Sequence, residues 1–174
     1  LLGSALLLEA GCKNKRFSGY LHDLAFGLET GCPRQVLSGL FASGATFTLE
    51  EAGEATGYFS LGEIEKGLRE LENNGNILGL GDIYISKERL EAFLKEAKAT
   101  LNAYHRLLPD EEGMPKELLR QKLGIKEKML ETFLSYWLSR SELVMYEGKM
   151  ALPSHAQAHS QWYDRKRDEC CSLL

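Results

Sequence analysis

The chain has 174 residues, of which 44% are hydrophobic and 26% are charged, a balance typical of a globular protein rather than a disordered one. Its formal net charge is −4, which argues against a dedicated duplex-DNA binder, because such proteins usually carry a basic surplus. Residues 1–90 carry 8 basic against 12 acidic side chains, whereas residues 91–174 carry 13 against 13, so the second half is the better candidate for contact with a polyanion.

The amino-terminal segment combines an apolar run with a basic exit. Residues 1–10 mix small and branched apolar side chains and lead into "KNKR" at 13–16, which predicts one strand followed by a charged loop. The run is too short to span a bilayer, and no basic residue precedes it as in a signal peptide. Apolar residues at helical spacing then predict a helix over 17–28, and Pro33 is suited to the first turn of the next helix.

Two capping boxes mark the next helices. "TLEE" at 48–51 and "SLGE" at 60–63 each place a hydroxyl three residues before a glutamate, the pattern in which both side chains satisfy free backbone amides. The first helix is predicted to end at Gly57, and the second at Gly75, which is predicted to be a left-handed cap. The segment 77–86 predicts a β-hairpin with a Gly-Asp turn.

A long helix is predicted over 86–108, with one apolar stripe. Pro109 and Gly113 interrupt the pattern, and Pro115 is predicted to lie in the first turn of a new helix, where its missing amide hydrogen costs nothing. That helix is predicted to end at Gly124.

The second half repeats the first. A helix over 126–140 is followed by "ELVMYEGKMALP", a hairpin predicted to turn at 147–149. Gly57 aligns with Gly124 at a shift of 67 residues, so we interpret the chain as an internal repeat. Two helices and a two-stranded wing are the elements of a winged helix-turn-helix. The predicted fold class is therefore mainly α with small β-hairpins (α+β), as tandem winged helix-turn-helix modules joined by a long helix. The predicted domains are residues 1–29, the end of a preceding β-barrel strand and a connecting helix; 30–98, the first winged helix and linker helix; 99–155, the second winged helix; and 156–174, the start of a third module.

Specific motifs in the second half resemble those of a known family. "AYHRLLPDEEGMPKELLRQKLG", followed later by "MALPSH", resembles the C-terminal winged-helix region of bacterial selenocysteine-specific elongation factor (SelB). In that family a Tyr-His pair ends a long helix, a Gly-Met-Pro element opens the next module, and Leu-Pro-x-His closes its wing. The matching residues are Tyr104, His105, Gly113, Met114, Pro115, Glu117, Leu118, Leu119, Arg120, Leu152, Pro153 and His155.

The resemblance implies a function. The family's factor is a cytoplasmic GTPase that carries selenocysteinyl-tRNA to the ribosome and reads an mRNA hairpin beside a UGA codon, mainly through its last winged helix. This chain is then expected to be a fragment: a non-catalytic arm between the GTPase body and the hairpin-binding modules, reaching tRNA, mRNA hairpin and ribosome through the full-length protein. It has no G-x-x-x-x-G-K-[ST] loop, so we predict no enzyme activity and no cofactor for it. GTP and magnesium belong to the parent protein.

Winged helices often place their third helix in the major groove of DNA. The charge on that predicted helix in each module therefore indicates whether the module could bind DNA. The first copy, at 60–74, carries four glutamates against two cations, and this negative surface repels phosphate. The second copy is only slightly positive. The modules are therefore expected to be structural rather than DNA readers. The alternatives are a tandem winged-helix scaffold that binds protein, as in chromosome segregation, and a transcription regulator.

Basic residues supply the candidate RNA or ribosome contacts, although each also fits plain solvated surface. Five surround the second helix-turn-helix and are called the 116–128 cluster here; three more lie near the end of the chain. The candidates are Lys116, Arg120, Lys122, Lys126 and Lys128, then Arg165, Lys166 and Arg167.

Histidines and cysteines predict no metal site. His155 and His159 lie four apart, as helical ligands can, but no carboxylate or thiol follows at ligand spacing. His105 is expected to be a packed histidine that bonds a backbone carbonyl at the joint between modules, with Tyr104 packed beside it. Four cysteines lack Cys-x-x-Cys spacing and are expected to be free thiols.

Overall fold

The computed structural model describes Gly27 and residues 29–57 and 59–171, with the backbone alone for 163, 164 and 166–171. The predicted amino-terminal strand lies outside the described residues, as does nearly all of the helix predicted at 17–28. The chain divides into two compact units between Leu90 and Glu91.

From Pro33 onward, the described part of the first unit contains three short helices, a three-stranded sheet and the start of a long helix. In chain order these are α1 (Pro33–Ala42), β1 (Thr46–Thr48), α2 (Leu49–Thr56), α3 (Leu61–Asn73), β2 (Ile77–Leu80), β3 (Ile83–Ser86) and α4 (Lys87–Leu107), which continues into the second unit.

Both capping boxes form as predicted. The amide of Glu51 donates to Thr48 Oγ1 at 3.1 Å, and the amide of Thr48 donates to Glu51 Oε2 at 2.8 Å. Ser60 and Glu63 make the same reciprocal pair at the start of α3. Each box satisfies two amides that the first helical turn would leave without partners, so the sequence alone determines where α2 and α3 begin.

The first sheet has a strand that the periodicity did not predict. β1 pairs antiparallel with β3, and β3 pairs antiparallel with β2, in the order β1-β3-β2. Phe47 of β1 packs edge-to-face on Phe41 at 5.5 Å between ring centroids. Three residues are too few for a pattern of period two, so this strand exists because β3 offers it a partner and the core offers Phe47 a contact. The core consists of Val36, Leu37, Leu40, Phe41, Ala52, Ile64, Leu68, Leu71 and Ile77.

The second unit repeats this layout. After α4 it contains β4 (Met114–Pro115), α5 (Lys116–Leu123), α6 (Glu127–Ser139), β5 (Val144–Tyr146), β6 (Lys149–Ala151) and α7 (Pro153–Cys171). Its sheet has the order β4-β6-β5, all antiparallel. The fold is thus mainly helical, with a three-stranded antiparallel sheet in each unit, and the predicted fold class is confirmed.

One predicted boundary of the second unit was wrong. Pro115 is not inside the first turn of α5; it precedes the helix with an extended backbone and pairs with Lys149 as part of β4. Residue spacing within this segment does not reveal the strand, because β6 provides the partner that draws Met114 and Pro115 into the sheet. α7 begins at Pro153, directly after the wing.

The core of the second unit is built on aromatic side chains. Phe93 and Phe133 lie 5.5 Å apart between ring centroids, and Phe133 and Trp137 lie 5.6 Å apart. Trp137 and Phe133 are fully buried, and truncation of such a side chain to alanine costs roughly 3–5 kcal/mol. This core fixes α6 against α4, which positions the exposed face described next. None of the described helices has the length and apolar character needed to cross a membrane.

Candidate nucleic-acid interface

The first unit presents an acidic surface on α3. Glu63 serves as a cap, and the hydrogen bonds it accepts from Ser60 lower its pKa. Arg69 is held by Glu65 at 2.6 Å. The cations of this helix are outnumbered, so its surface repels phosphate, as the sequence predicts.

Lys116 and Arg120 of the 116–128 cluster are committed to contacts within the protein. Lys116 Nζ donates to Glu131 Oε1 at 2.8 Å, and this hydrogen bond raises the pKa of Lys116. Arg120 Nη2 and Nε donate to the two carboxylate oxygens of Glu117 at 2.6 and 2.8 Å, while Nη1 donates to the backbone oxygen of Ile125 at 3.2 Å. Arg120 thereby closes the turn between α5 and α6.

The carboxylate of Glu117 reflects this arrangement. Hydrogen bonds from Arg120, then from Gln121, lower the pKa of Glu117 to about 2. The carboxylate is therefore charged at neutral pH and balances the guanidinium. An RNA phosphate would have to compete with this pair, so Arg120 is a weaker contact candidate than its sequence position predicts.

Lys122 and Lys126 remain available. Lys122 lies in the last turn of α5 and Lys126 immediately precedes α6, and both side chains are exposed. Neither has an ion pair or side-chain hydrogen bond within the described residues. These two residues are called the turn lysines below. Lys128, in the first turn of α6, is also exposed.

Lys126 occupies a helix N-cap with an extended backbone, φ −69° and ψ 151°, but makes no side-chain capping bond. Serine, threonine, aspartate and asparagine are preferred there because they accept from the free amides. A cation also meets the positive end of the helix dipole unfavourably. The first unit uses Ser60 at the N-cap of the corresponding helix, α3, so the second unit holds a cation where a cap would stabilise the helix.

The exposed face of α6 and the wing add residues that the sequence did not single out. The Arg140 guanidinium lies over the Tyr136 ring, 4.8 Å from its centroid. Met145 and Tyr146 on β5 are 52% and 60% exposed. The sequence places Arg140 four residues after Tyr136, a spacing that could have predicted this contact on a helix. The exposure of Met145 and Tyr146 could not be predicted from the sequence.

The carboxy-terminal basic run is only partly described. Arg165 is exposed, and its Nε donates to the backbone oxygen of Gln161 at 3.3 Å. The side chains of Lys166 and Arg167 lie outside the described part of the structure. All three residues therefore stay predictions.

Three histidines meet in the second unit, and His105, His155 and His159 are called the histidine cluster here. The rings of His105 and His155 are stacked, with centroids 3.7 Å apart and planes 12° apart, and His159 lies 6.0 Å from His155. His105 is 7% exposed. It was correctly predicted to be packed, but the predicted carbonyl bond was wrong: the amide of Leu152 donates to its Nε2 at 3.4 Å. Tyr104 is only half-buried, edge-to-face with His105 at 6.2 Å.

The geometry of the histidine cluster does not indicate a metal site. No group of three or more histidine, cysteine or carboxylate side chains among the described residues is placed to hold a metal ion. The Nε2 atoms of His155 and His159 face backbone oxygens, those of Glu111 at 2.8 Å and Asp110 at 3.1 Å.

Comparison with known proteins gives a family match over part of the second unit. Residues 98–152 match the family model described as "Elongation factor SelB, winged helix", and this confirms the resemblance predicted from the Tyr-His, Gly-Met-Pro and Leu-Pro-x-His motifs. The mRNA-binding domain of elongation factor SelB from E. coli, solved in complex with SECIS RNA, is similar with a TM-score of 0.57 at 17% identity. The match covers 71% of this chain and 96% of that one; at this identity it supports the fold alone. No curated protein gives a significant match.

Proposed function

We propose that this chain is a non-catalytic winged-helix arm of a selenocysteine-specific elongation factor and that its second unit binds the mRNA hairpin used in selenocysteine incorporation at UGA. The observation that carries the proposal is the SelB winged-helix match at 98–152, which coincides with the unit bearing the available cations. The solved domain of similar fold is described as mRNA-binding and is bound to SECIS RNA. The unmatched first unit acts as a spacer between the GTPase body and the RNA-binding part.

The turn lysines are the proposed contact. They are exposed and without ion pairs in the described part of the chain, whereas Lys116 and Arg120 are already paired. They lie just before the start of α6, the helix that winged-helix proteins commonly place against nucleic acid. Contacts of this type neutralise phosphates and release counterions, so they contribute affinity without sequence preference. Lys128 and Arg140 extend the same face along α6.

Several features of the whole factor belong to the same proposal. Selenocysteinyl-tRNA and the ribosome are engaged by the full-length protein, GTP and magnesium by its GTPase part, and the setting is the cytoplasm. A protein-binding scaffold or a transcription regulator would not be expected to carry a SelB winged-helix segment, so the family match favours the translation factor over both alternatives.

The test measures binding of the chain to a SECIS-type RNA hairpin across a series of salt concentrations. The Lys122→Ala/Lys126→Ala variant should bind more weakly, and its log–log salt slope should fall by about 1.5, roughly 0.7–0.9 for each lost phosphate contact. The matched control is Lys66→Ala/Lys87→Ala, which removes the same charge from exposed positions of the first unit.

Two results would contradict the proposal. Equal weakening by both double variants would mean that binding follows overall charge and not the turn lysines. An unchanged affinity and slope for Lys122→Ala/Lys126→Ala would leave this surface as solvated protein. Near-parent binding by the control, together with a reduced slope for the turn-lysine variant, is the expected outcome.

A further inference from the structure

The histidine cluster connects three segments of the second unit. His105 lies on the last turns of α4, His155 and His159 lie on the first two turns of α7, and Asp110 and Glu111 belong to the loop after α4. His155 and His159 each face a backbone oxygen of that loop, at 2.8 and 3.1 Å. The cluster therefore attaches the start of α7 to the loop through two hydrogen bonds and to α4 through the stacked rings.

The contact between His105 and Leu152 defines the protonation state of His105. Because Nε2 accepts from the Leu152 amide at 3.4 Å, that nitrogen must have a free lone pair, and the proton of the neutral ring sits on Nδ1. Adding a second proton would place an N–H opposite the Leu152 N–H. The hydrogen bond would then be lost, and two donors would face each other in a buried position.

The outer histidines behave differently. His155 and His159 face carbonyl oxygens, so each donates its Nε2 hydrogen, and a neutral or a cationic imidazole can do this equally well. Protonating either ring does not remove its hydrogen bond. Protonating His105 while His155 is charged would, however, stack two cations with ring centroids 3.7 Å apart. His105 is therefore the member whose charge is incompatible with the closed arrangement.

We propose that the histidine cluster is a proton-sensitive clamp, in which neutral His105 holds the start of α7 on the second unit and protonated His105 releases it. The clamp does not depend on RNA binding. In it, His105 of the Tyr-His pair and His155 of the Leu-Pro-x-His element have a conformational role, which is to hold α7 where it leaves the wing.

Several charged or titratable side chains surround the histidine cluster. Titratable or charged side chains are present on each neighbouring element: Tyr104 and Arg106 on α4, Asp110, Glu111 and Glu112 in the loop, and Lys149 on β6. Lys149 is paired with Glu111 at 3.1 Å and approaches Glu112 at 3.9 Å, so it offsets one of these two negative charges. None of these carboxylates makes a hydrogen bond or ion pair with His105.

Burial, then the charge of His155, lowers the pKa of His105 from 6.5 to about 4. A depressed histidine pKa means that the open form binds the proton more tightly than the closed form. Closure is then complete above the open-state pKa and weakens as the pH falls toward the closed-state pKa. At about pH 5 the equilibrium for opening should be about thirty-fold larger than at about pH 7.5.

The experiment measures hydrogen exchange of assigned backbone amides in the full chain at the two pH values, corrected for the intrinsic exchange rate. The informative amides are those of Leu152, His155 and Ala156, which donate within the clamp or the first turn of α7. In the parent their protection should fall about thirty-fold on acidification. In His105→Gln, whose amide oxygen accepts without titrating, the change should be threefold or less, an about tenfold difference from the parent.

His159→Gln is the matched control. It removes from the same cluster a histidine other than the one stacked on His105. In this variant the protection of the Leu152, His155 and Ala156 amides should therefore respond to pH as in the parent. An equal pH response in His105→Gln and the parent would overturn the proposal, as would constant protection in the parent. If His105→Gln does not fold, NMR titration of the parent rings decides: a His105 titration at about 4 supports the clamp, and one at about 6.5 refutes it.

Discussion

At the scale of single residues, Gly113 illustrates a constraint that comes from the sheet and not from a turn. It is buried, and a Cβ added to it would lie 2.7 Å from the backbone oxygen of Met150 and 3.0 Å from its carbonyl carbon. Backbone atoms of a central strand cannot move aside as the end of a side chain can. The glycine of the Gly-Met-Pro element therefore permits β4 to approach β6.

Gly113→Ala should destabilise the second unit by about 1–3 kcal/mol, the usual cost of forcing an extra carbon into a packed site. Gly62→Ala is the comparison, because Gly62 lies in α3 with nothing within 4 Å of the added Cβ. That variant should be stabilised by about 0.4–1 kcal/mol through lower entropy of the unfolded chain. Denaturant unfolding of both variants checks the pair, and similar values for the two would show that the approach of β4 to β6 is not restrictive.

At the scale of elements, the two units start their helices by different means. α2 and α3 begin at capping boxes, whereas α5 follows Pro115 and α6 follows Lys126, neither of which makes a side-chain cap. In the second unit the Arg120 contact to the Ile125 backbone oxygen fixes the turn before α6, but it satisfies none of the free amides at the start of that helix. A cation retained at an N-cap is a local violation of helix preference, and such violations concentrate where function requires them.

Lys126→Ser should therefore move stability and RNA binding in opposite directions. The serine hydroxyl can accept a hydrogen bond from a free amide of α6, which should stabilise the second unit by about 1 kcal/mol. The lost cation should weaken binding to the RNA hairpin. Lys128→Ser is the control that removes a charge without supplying a cap, so it should weaken binding without stabilising. Thermal melts and salt-dependent binding measure the two effects, and a Lys126→Ser variant that gains stability with unchanged affinity would remove Lys126 from the interface.

At the scale of the whole molecule, the two units differ in how they respond to acid. The described residues of the first unit include no histidine, whereas the second unit contains the histidine cluster. Both tryptophans, Trp137 and Trp162, also belong to the second unit. Tryptophan fluorescence thus reports on the second unit, and circular dichroism reports on both.

Lowering the pH from about 7 to about 5 should cost the second unit about 2 kcal/mol through His105 alone. The sign follows from the depressed pKa: this stability is present above about 6.5, is lost as the pH falls toward 4, and declines no further below that value. The fluorescence-monitored midpoint should drop by roughly 10 °C for a unit of this size, and His105→Gln should abolish most of the drop. A midpoint that is constant over this pH range in the parent would contradict the linkage.

Features that depend on neighbours along the chain could be predicted from the residue order. These are the capping boxes at Thr48 and Ser60, the helix ends at Gly57, Gly75 and Gly124, all three of which have positive φ, and both hairpins, because their hydrogen bonds span only a few residues. The repeat and the SelB resemblance were likewise readable, since both are patterns of residue order. These were enough to predict the fold class.

Which candidate residues are available for RNA contact depends on the tertiary structure and could not be predicted from the sequence. Lys116 is taken by Glu131, fifteen residues away, and His105 is covered by His155, which no local pattern brings near it. The strands β1 and β4 also depend on partners far along the chain, β3 and β6. Charge composition counts cations, but ion pairing depends on distances through space; only the packed fold separates Lys122 and Lys126 from the cations that are already neutralised.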